Sequence, residues 1–451
     1  MVKILENYDV VVIGGGPAGY SSALYARKYG LSVCLIEKEF LGGVCLNRGC
    51  MPTKVMTSAG RRVNDLKNIQ SYGVTVNGFN FDYKQFNKSR IDIIGRLSKG
   101  LDYSLKKSGV VIKSGFGSIV SDNVVRIFKD NESVDVEAKH IIIAAGSKPS
   151  IPKFLIGKEN VINSEDFWSL ESIPQNIAVI GGGVIGCEYA SALSALGYNI
   201  TLIEMEERLL LSEEKDISQA LYSELSRSGI NIRCGEKVNS IETNNDKTLR
   251  LILSKGGPVT VSLVVVCAGR SVNLDGLGLE NVGAIDPNTL DRNKLNIKNN
   301  IWIAGDIAAG PQLAHKAYYD AKCIIDSIQG KKIDVDYSNM PIAIFTMPEI
   351  SRVGLTEEEA SKKCEIMTVK VNFAEVGKAV AEQHARGFLK LVYEKDSGNI
   401  LGISIIGYCA GELQGISSVI VQNKMSINDL KAIKFAHPTL SEVFHLAVDR
   451  I

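Results

Sequence analysis

Residues 42–54 read GGVCLNRGCMPTK and place Cys45 and Cys50 five positions apart, between glycines and a proline. Two thiols this close can pass between dithiol and disulfide, moving two electrons per cycle. A two-residue gap would suggest a metal clip or a thioredoxin-like pair; a four-residue gap is neither. Met51-Pro52-Thr53-Lys54 follows, with Pro52 suited to start a helix. Cys50 would then lie at a helix N-terminus, where the dipole stabilises a thiolate. Cys45 would precede that helix and be the more accessible thiol. The plainer reading is two structural cysteines in a glycine-rich loop.

Because the thiolate is the attacking form, such a pair needs a base. Five histidines are available. His140 and His384 read as solvated, His315 as a packing or loop residue, and His445 as a surface or interface residue. His437 differs, since in AHPTLSE it precedes Pro438, which excludes a helix there. Glu442, five residues on, has two readings: it orients the imidazole, or Thr439-x-x-Glu442 is a helix capping box. Both can hold at once.

The elements that must carry these groups occur twice. YDVVVIGGGPAGYSSALYARKYGLSVCLIEKE and QNIAVIGGGVIGCEYASALSALGYNITLIEME each run strand, glycine cluster, helix, strand. Gly14, Gly16 and Gly19 stand at G-x-G-x-x-G spacing, with Glu37 23 residues beyond Gly14. Gly181, Gly183 and Gly186 repeat it, with Glu204 23 residues beyond Gly181. The first glycine makes the tight turn, the second admits a pyrophosphate, and the third packs helix on strand, while the acid accepts from ribose hydroxyls. The diphosphate then meets the open N–H groups of a helix. Two dinucleotides are therefore expected on one chain. Glu204 favours NAD over NADP, because a carboxylate repels a 2′-phosphate. Asp306, ending the strand in NNIWIAGDIAAG, could do no more than cap a turn.

The 451 residues suffice for about three domains. With 51 basic and 50 acidic residues the formal charge is +1, which gives no field to gather nucleic acid or an anionic membrane. Apolar runs such as DVVVIGGG are far too short to span a bilayer, and Met1–Asn7 is too short and mixed for a signal peptide. Nine cysteines, mostly single in apolar surroundings, suit the cytoplasm. No metal site is expected. Breaks at Pro149–Pro152, Ser271–Asn300 and Lys331–Pro341 divide the chain. The resulting α/β reading has two Rossmann-like dinucleotide-binding domains (1–147 and 148–270), a central domain (271–335) and a C-terminal α+β dimerisation domain (336–451).

With these motifs in place, the chain resembles the pyridine nucleotide–disulfide oxidoreductases almost end to end. GGGPAGY, GGVCLNRGCMPTK, GGGVIGCEYAS, AGDIAAGPQLAHKA, FTMPEISRVGLTEEEA and AHPTLSE carry the likeness, and GPQLAHKA, LTEEEA and HPTLSE tilt it toward the lipoamide branch. The resemblance implies FAD on the first unit, contacting Gly14, Gly16, Gly19, Glu37, Lys54, Gly117, Asp306 and Ala314. It implies NAD on the second, contacting Gly181, Gly183, Gly186, Glu204, Val238 and Gly269. Cys45 would meet the substrate and Cys50 the flavin, with Lys54 near the flavin and paired with Glu188. His437, held by Glu442, would be the acid–base residue and would reach the site from the other subunit of a homodimer. The implied reaction oxidises protein-bound dihydrolipoamide and reduces NAD⁺ to NADH. The implied partners are lipoyl domains and the acyltransferase core of 2-oxo acid dehydrogenase complexes. Two other readings stay open: an NAD(P)H-dependent reductase of a small disulfide, and a non-enzymatic nucleotide-binding scaffold subunit. The chain departs from the family pattern at Arg48, which stands between the cysteines, at Ala145, and at Phe435.

Overall fold

The computed structural model describes residues 6–283 and 294–451. They form two compact units, one of residues 1–52, 84–150 and 270–337, the other of residues 53–83, 151–269 and 338–451.

In the first unit, the strand Glu6–Ile13 owes its central place to Val10, Val11 and Val12, all fully buried. A strand covered on both faces is apolar without alternation. It pairs in parallel with Val33–Glu37 on one side and Glu132–Ile143 on the other. The sheet continues to Val111–Ser114 at one edge, and through Ile301–Ile303 to Asn296–Lys298 at the other. Ile303, Ile143, Ile13 and Ile36 stand level across four strands, so their carboxyl ends make one edge. In open α/β sheets ligands bind at that edge. The helix Pro17–Lys28, with proline at its start and Arg27 and Lys28 in its last turn, crosses over between the first two strands. It packs against the helix Ala314–Ile328.

His140 is not solvated as expected, because its strand lies inside this sheet opposite Val10. It is half-buried, its Nδ1 has no hydrogen-bond partner among the described residues, and burial pulls its pKa down.

The second unit repeats the motif. Its parallel sheet runs Asn231–Cys234, Asn199–Glu204, Asn176–Ile180, Leu263–Val266 and Val161–Asn163. An antiparallel trio, Val238–Thr243, Leu249–Leu253 and Val259–Val261, shares a core with it. From residue 342 the pattern changes to antiparallel: Ile342–Ile344, Glu349–Gly354, Ile400–Gly407, Gly387–Glu394 and Ile366–Asn372 form a five-stranded sheet. The helix Ala410–Gln422 covers it. His384, also expected to be solvated, stacks on Tyr408 with centroids 3.8 Å apart and planes at 6°. No helix among the described residues is long and apolar enough to cross a membrane.

Candidate active site

The cysteine segment is built on a glycine-to-glycine contact. Gly14 holds φ +105°, and a Cβ there would lie 2.4 Å from the Ala144 carbonyl oxygen. Gly42 N–H donates to the Gly15 carbonyl at 2.8 Å. Gly43 holds φ +55°, and a Cβ on it would lie 2.8 Å from Gly16 Cα. Two backbones can approach this closely only where side chains are missing. The short helix Gly43–Asn47, with Cys45 inside it, is thereby held against the first glycine turn, and Asn47 Nδ2 pins it by donating to Leu41 and Gly43 carbonyls. The next helix, Cys50–Asn68, begins at Cys50 itself.

Accessibility runs opposite to the expectation: Cys45 is half-buried and Cys50 exposed. The reason is local, since Cys45 lies within a helix pressed on the glycine turn and Cys50 opens a new one. Arg48, between them, turns its charge away from an isolated role. Its Nη1 lies 3.0 Å from Glu39 Oε2 and its guanidinium 5.6 Å from the centre of the Phe40 ring.

The first cradle fits a dinucleotide. The helix Pro17–Lys28 has no side-chain cap and no acid in its first turn, so its leading N–H groups face an anion site uncontested. Glu37 Oε2 accepts from Gly15 N–H at 2.6 Å and Oε1 from Glu39 N–H at 2.7 Å, which fixes the carboxylate at the mouth of the turn. Gly117 stands beside Ile13, where a Cβ would come within 3.1 Å of that side chain. Asp306, in the turn Gly305–Ile307, accepts from the Ser147 hydroxyl, and Ala314 starts its helix. Gly14, Glu37 and Asp306 lie at or just beyond the carboxyl ends of strands of one sheet.

The second cradle repeats the chemistry. Gly181 has φ +112° with a prospective Cβ 2.4 Å from the Cys267 carbonyl oxygen. The helix Val184–Ala195 after it, which starts beyond Gly183 and includes Gly186, is likewise uncapped and free of acid in its first turn. Glu204 accepts from Gly182 N–H and, at 2.8 Å, from Glu206 N–H. Gly269 has φ +97° and open space where a Cβ would be. Val238 is 5% exposed and packs in the core, so only its backbone could face a ligand.

Lys54, one turn after Cys50, reaches that same second helix. Its Nζ lies 2.9 and 2.8 Å from the two oxygens of Glu188, whose side chain is 6% exposed. Phe345 completes the arrangement, its N–H donating to Glu188 Oε1 at 2.9 Å and its ring centre 4.2 Å from Lys54 Nζ. Phe345 was not foreseen, because no spacing in the sequence ties it to either residue.

Near the C-terminus, His437 Nδ1 lies 2.8 Å from Glu442 Oε1, and Thr439 N–H donates to Glu442 Oε2 at 2.9 Å. The histidine reading is met, and of the capping box only the Thr439 N–H bond forms. The helix starts at Glu442 itself, and the Thr439 hydroxyl bonds the Ala436 carbonyl and the Ser441 hydroxyl instead of the Glu442 N–H. A carboxylate only accepts, so Nδ1 carries the hydrogen, and in the neutral ring Nε2 is then the nitrogen with the lone pair. The His437 side chain is 78% exposed. Phe435 stacks on Phe444 at 6.1 Å, giving the loop apolar footing. His445 pairs with Asp449 at 3.2 Å on the surface.

Also missed was a buried pair that grips the Asp306 turn. Lys316 Nζ donates to the Gly305 carbonyl at 2.9 Å and lies 2.8 Å from Asp320, which accepts from Gly305 N–H at 2.9 Å. A lysine and an aspartate four residues apart in a largely apolar helix were the signal for it.

A family model described as pyridine nucleotide-disulphide oxidoreductase matches residues 8–321. The chain belongs to that family. A second model, its dimerisation domain, matches residues 340–448. Dihydrolipoyl dehydrogenase of Chlamydia muridarum is 34% identical over 457 residues, covering 98% of this chain and 97% of that one. An enzyme of the same name from Bacillus subtilis is 32% identical over 451 residues, covering 97% of each. Among solved structures, LpdA of Mycobacterium tuberculosis superposes with TM-score 0.91 at 22% identity over 99% of both chains. The Cu(II) complex of the HOCl-induced flavoprotein disulfide reductase RclA of Escherichia coli gives 0.89 at 24%, over 99% of this chain and 100% of that one. These two bear on the fold, and they agree with the α/β class and dimerisation domain expected for the family.

Proposed function

We propose that the chain oxidises protein-bound dihydrolipoyl groups with NAD⁺, the reaction named for its curated relatives. The carrying observation is the cysteine segment held against the first glycine turn, in a chain aligned over 98% of its length with a dihydrolipoyl dehydrogenase. FAD and NAD are the family's cofactors. Gly14, Gly16, Gly19, Glu37, Gly117, Asp306, Ala314 and Lys54 would hold the first. Gly181, Gly183, Gly186, Glu204, Gly269 and the backbone of Val238 would hold the second.

His437 Nε2 takes a proton from the substrate dithiol, and the thiolate so formed attacks Cys45 Sγ of the Cys45–Cys50 disulfide. The S–S bond breaks and Cys50 leaves as a thiolate, which its helix N-terminus stabilises. The second substrate sulfur attacks the first, expels Cys45 and closes the lipoyl ring, its proton passing to the departing Cys45 thiolate. The dithiol is oxidised and the protein disulfide reduced by the same electron pair. Bound FAD supplies the two-electron link from the Cys50 side to NAD⁺. Lys54, clamped by Glu188, fixes a positive charge one turn from Cys50.

The exposure of His437 and the dimerisation domain support a homodimer in which His437 of a second copy serves Cys45. Lipoyl domains and the acyltransferase core of a 2-oxo acid dehydrogenase complex would be the partners, and the scattered cysteines suit the cytoplasm. The test compares dihydrolipoamide plus NAD⁺ with glutathione disulfide plus NADPH on FAD-loaded protein. Faster turnover with the first pair supports the assignment, and faster turnover with the second rejects it.

A further inference from the structure

Two tyrosines, one on the helix opened by the first glycine turn and one on the helix packed against it, have no part in the chemistry above. Tyr20 lies one turn into the helix that the first glycine turn opens, its N–H donating to the Gly16 carbonyl at 2.9 Å. Gly16 is the residue that Gly43 touches, two positions before Cys45. From the packed helix Ala314–Ile328, Tyr318 brings its hydroxyl oxygen to 2.7 Å from that of Tyr20, with ring centres 6.1 Å apart and planes at 50°.

The environment keeps both phenols neutral. Burial, then the bond to Tyr318, then the charges of Tyr318, Cys45 and Cys50 push the Tyr20 phenol up. Burial and the same two sulfurs push Tyr318 up, against the bond from Tyr20. The contact of Gly43 with Gly16 sets the start of the Tyr20 helix against the segment that carries Cys45, and the bond between the hydroxyls ties Tyr318 to it. Two linked hydroxyls hold two hydrogens, and one closes the link. The other is left for an outside acceptor, and Tyr318, 42% exposed, is the ring that can present it.

We propose that the Tyr20–Tyr318 pair forms one wall of the dithiol site, Tyr318 donating a hydrogen bond to the incoming substrate sulfur and Tyr20 positioning Tyr318. The inference rests on the dithiol reaction proposed above. It adds a substrate-contacting residue and a positioning residue that neither the cysteine motif nor the histidine motif contains.

The test uses FAD-loaded wild type, Tyr318→Phe and Tyr20→Phe, each checked for bound flavin per chain. Two reactions are followed: oxidation of dihydrolipoamide with NAD⁺, and anaerobic reduction of the protein by NADH alone, which does not use the dithiol wall. Tyr318→Phe is expected to raise KM for dihydrolipoamide about three- to tenfold, the effect of one lost hydrogen bond, with kcat within twofold. Tyr20→Phe should give a smaller rise in KM. Flavin content and reduction by NADH should match wild type. An unchanged KM in Tyr318→Phe overturns the proposal, and so does an equal loss in both reactions, which would mean a structural role. Wild type that does not oxidise dihydrolipoamide at all overturns the parent reading instead, a result separate from any variant.

Discussion

His437 and Glu442 are joined at 2.8 Å through Nδ1, the nitrogen that leaves Nε2 as the base. The bond from His437, and after it the Thr439 N–H, hold the Glu442 carboxyl below its usual value of 4.5. A carboxyl depressed in the fold contributes above its unfolded pKa and loses that contribution as pH falls through the folded one. The carboxylate is thus charged throughout the neutral range. Replacing it, as in Glu442→Gln, should lower kcat for dihydrolipoamide about tenfold at neutral pH, and His437→Gln should cost about 10²- to 10⁴-fold. Rates of wild type and Glu442→Gln should still differ at pH 4.5 and converge only below it, as the depressed carboxyl takes up its proton. A gap that persists there would show that Glu442 acts by other means.

Lys54 and Glu188 make a pair in which only the carboxylate is deeply buried, at 6% exposure against 28%. Lys54→Met leaves that charge with the Phe345 N–H as its main remaining donor. A loss of about 1–3 kcal/mol in urea unfolding is expected. The double variant Lys54→Met/Glu188→Gln should recover part of it, since the stranded charge is gone. Equal stability of the single variant and wild type would argue that the pair contributes nothing to the fold.

The two glycine cradles can be disabled one at a time. Gly14→Ala would force a Cβ to 2.4 Å from the Ala144 carbonyl oxygen, and Gly181→Ala to the same distance from Cys267. Gly14→Ala should purify with little FAD. Gly181→Ala should keep its FAD but lose NADH binding by at least tenfold in a titration. Loss of the same cofactor from both variants would contradict the division of labour.

Glu204, fixed by the Gly182 and Glu206 N–H groups, should set nucleotide choice. KM for NADP⁺ should exceed that for NAD⁺ by about a hundredfold, and Glu204→Ala should narrow the gap about tenfold, chiefly by weakening NAD⁺. An unchanged ratio in the variant would remove Glu204 from recognition.

What the sequence disclosed follows from which interactions are local. The glycine turns, their acids and the start of the cysteine helix are fixed by residues within about two dozen positions, so spacing was enough. Glu442 lies five residues from His437, and spacing raised two roles for it, of which the structure forms the bond to the imidazole and not the reciprocal capping box. Glu188 lies 134 residues from Lys54, and only the family resemblance pointed to the pairing. Phe345 and Tyr318 depend on packing that no local pattern encodes, while the four-residue spacing of Lys316 and Asp320 signalled their pairing but not their grip on Gly305. The exposures of His140 and His384 were misread for the same reason, one lying within a sheet and the other under a stacked ring.

The redox role of Cys45 and Cys50 is tested most directly by differential alkylation of the FAD-loaded protein, mapped by mass spectrometry before and after anaerobic dihydrolipoamide. Among the nine cysteines, these two alone should pass from protected to alkylated, together, and Cys45→Ser should abolish the change. If the pair is alkylated to the same extent with and without dihydrolipoamide while NADH still forms, electrons do not travel through these sulfurs.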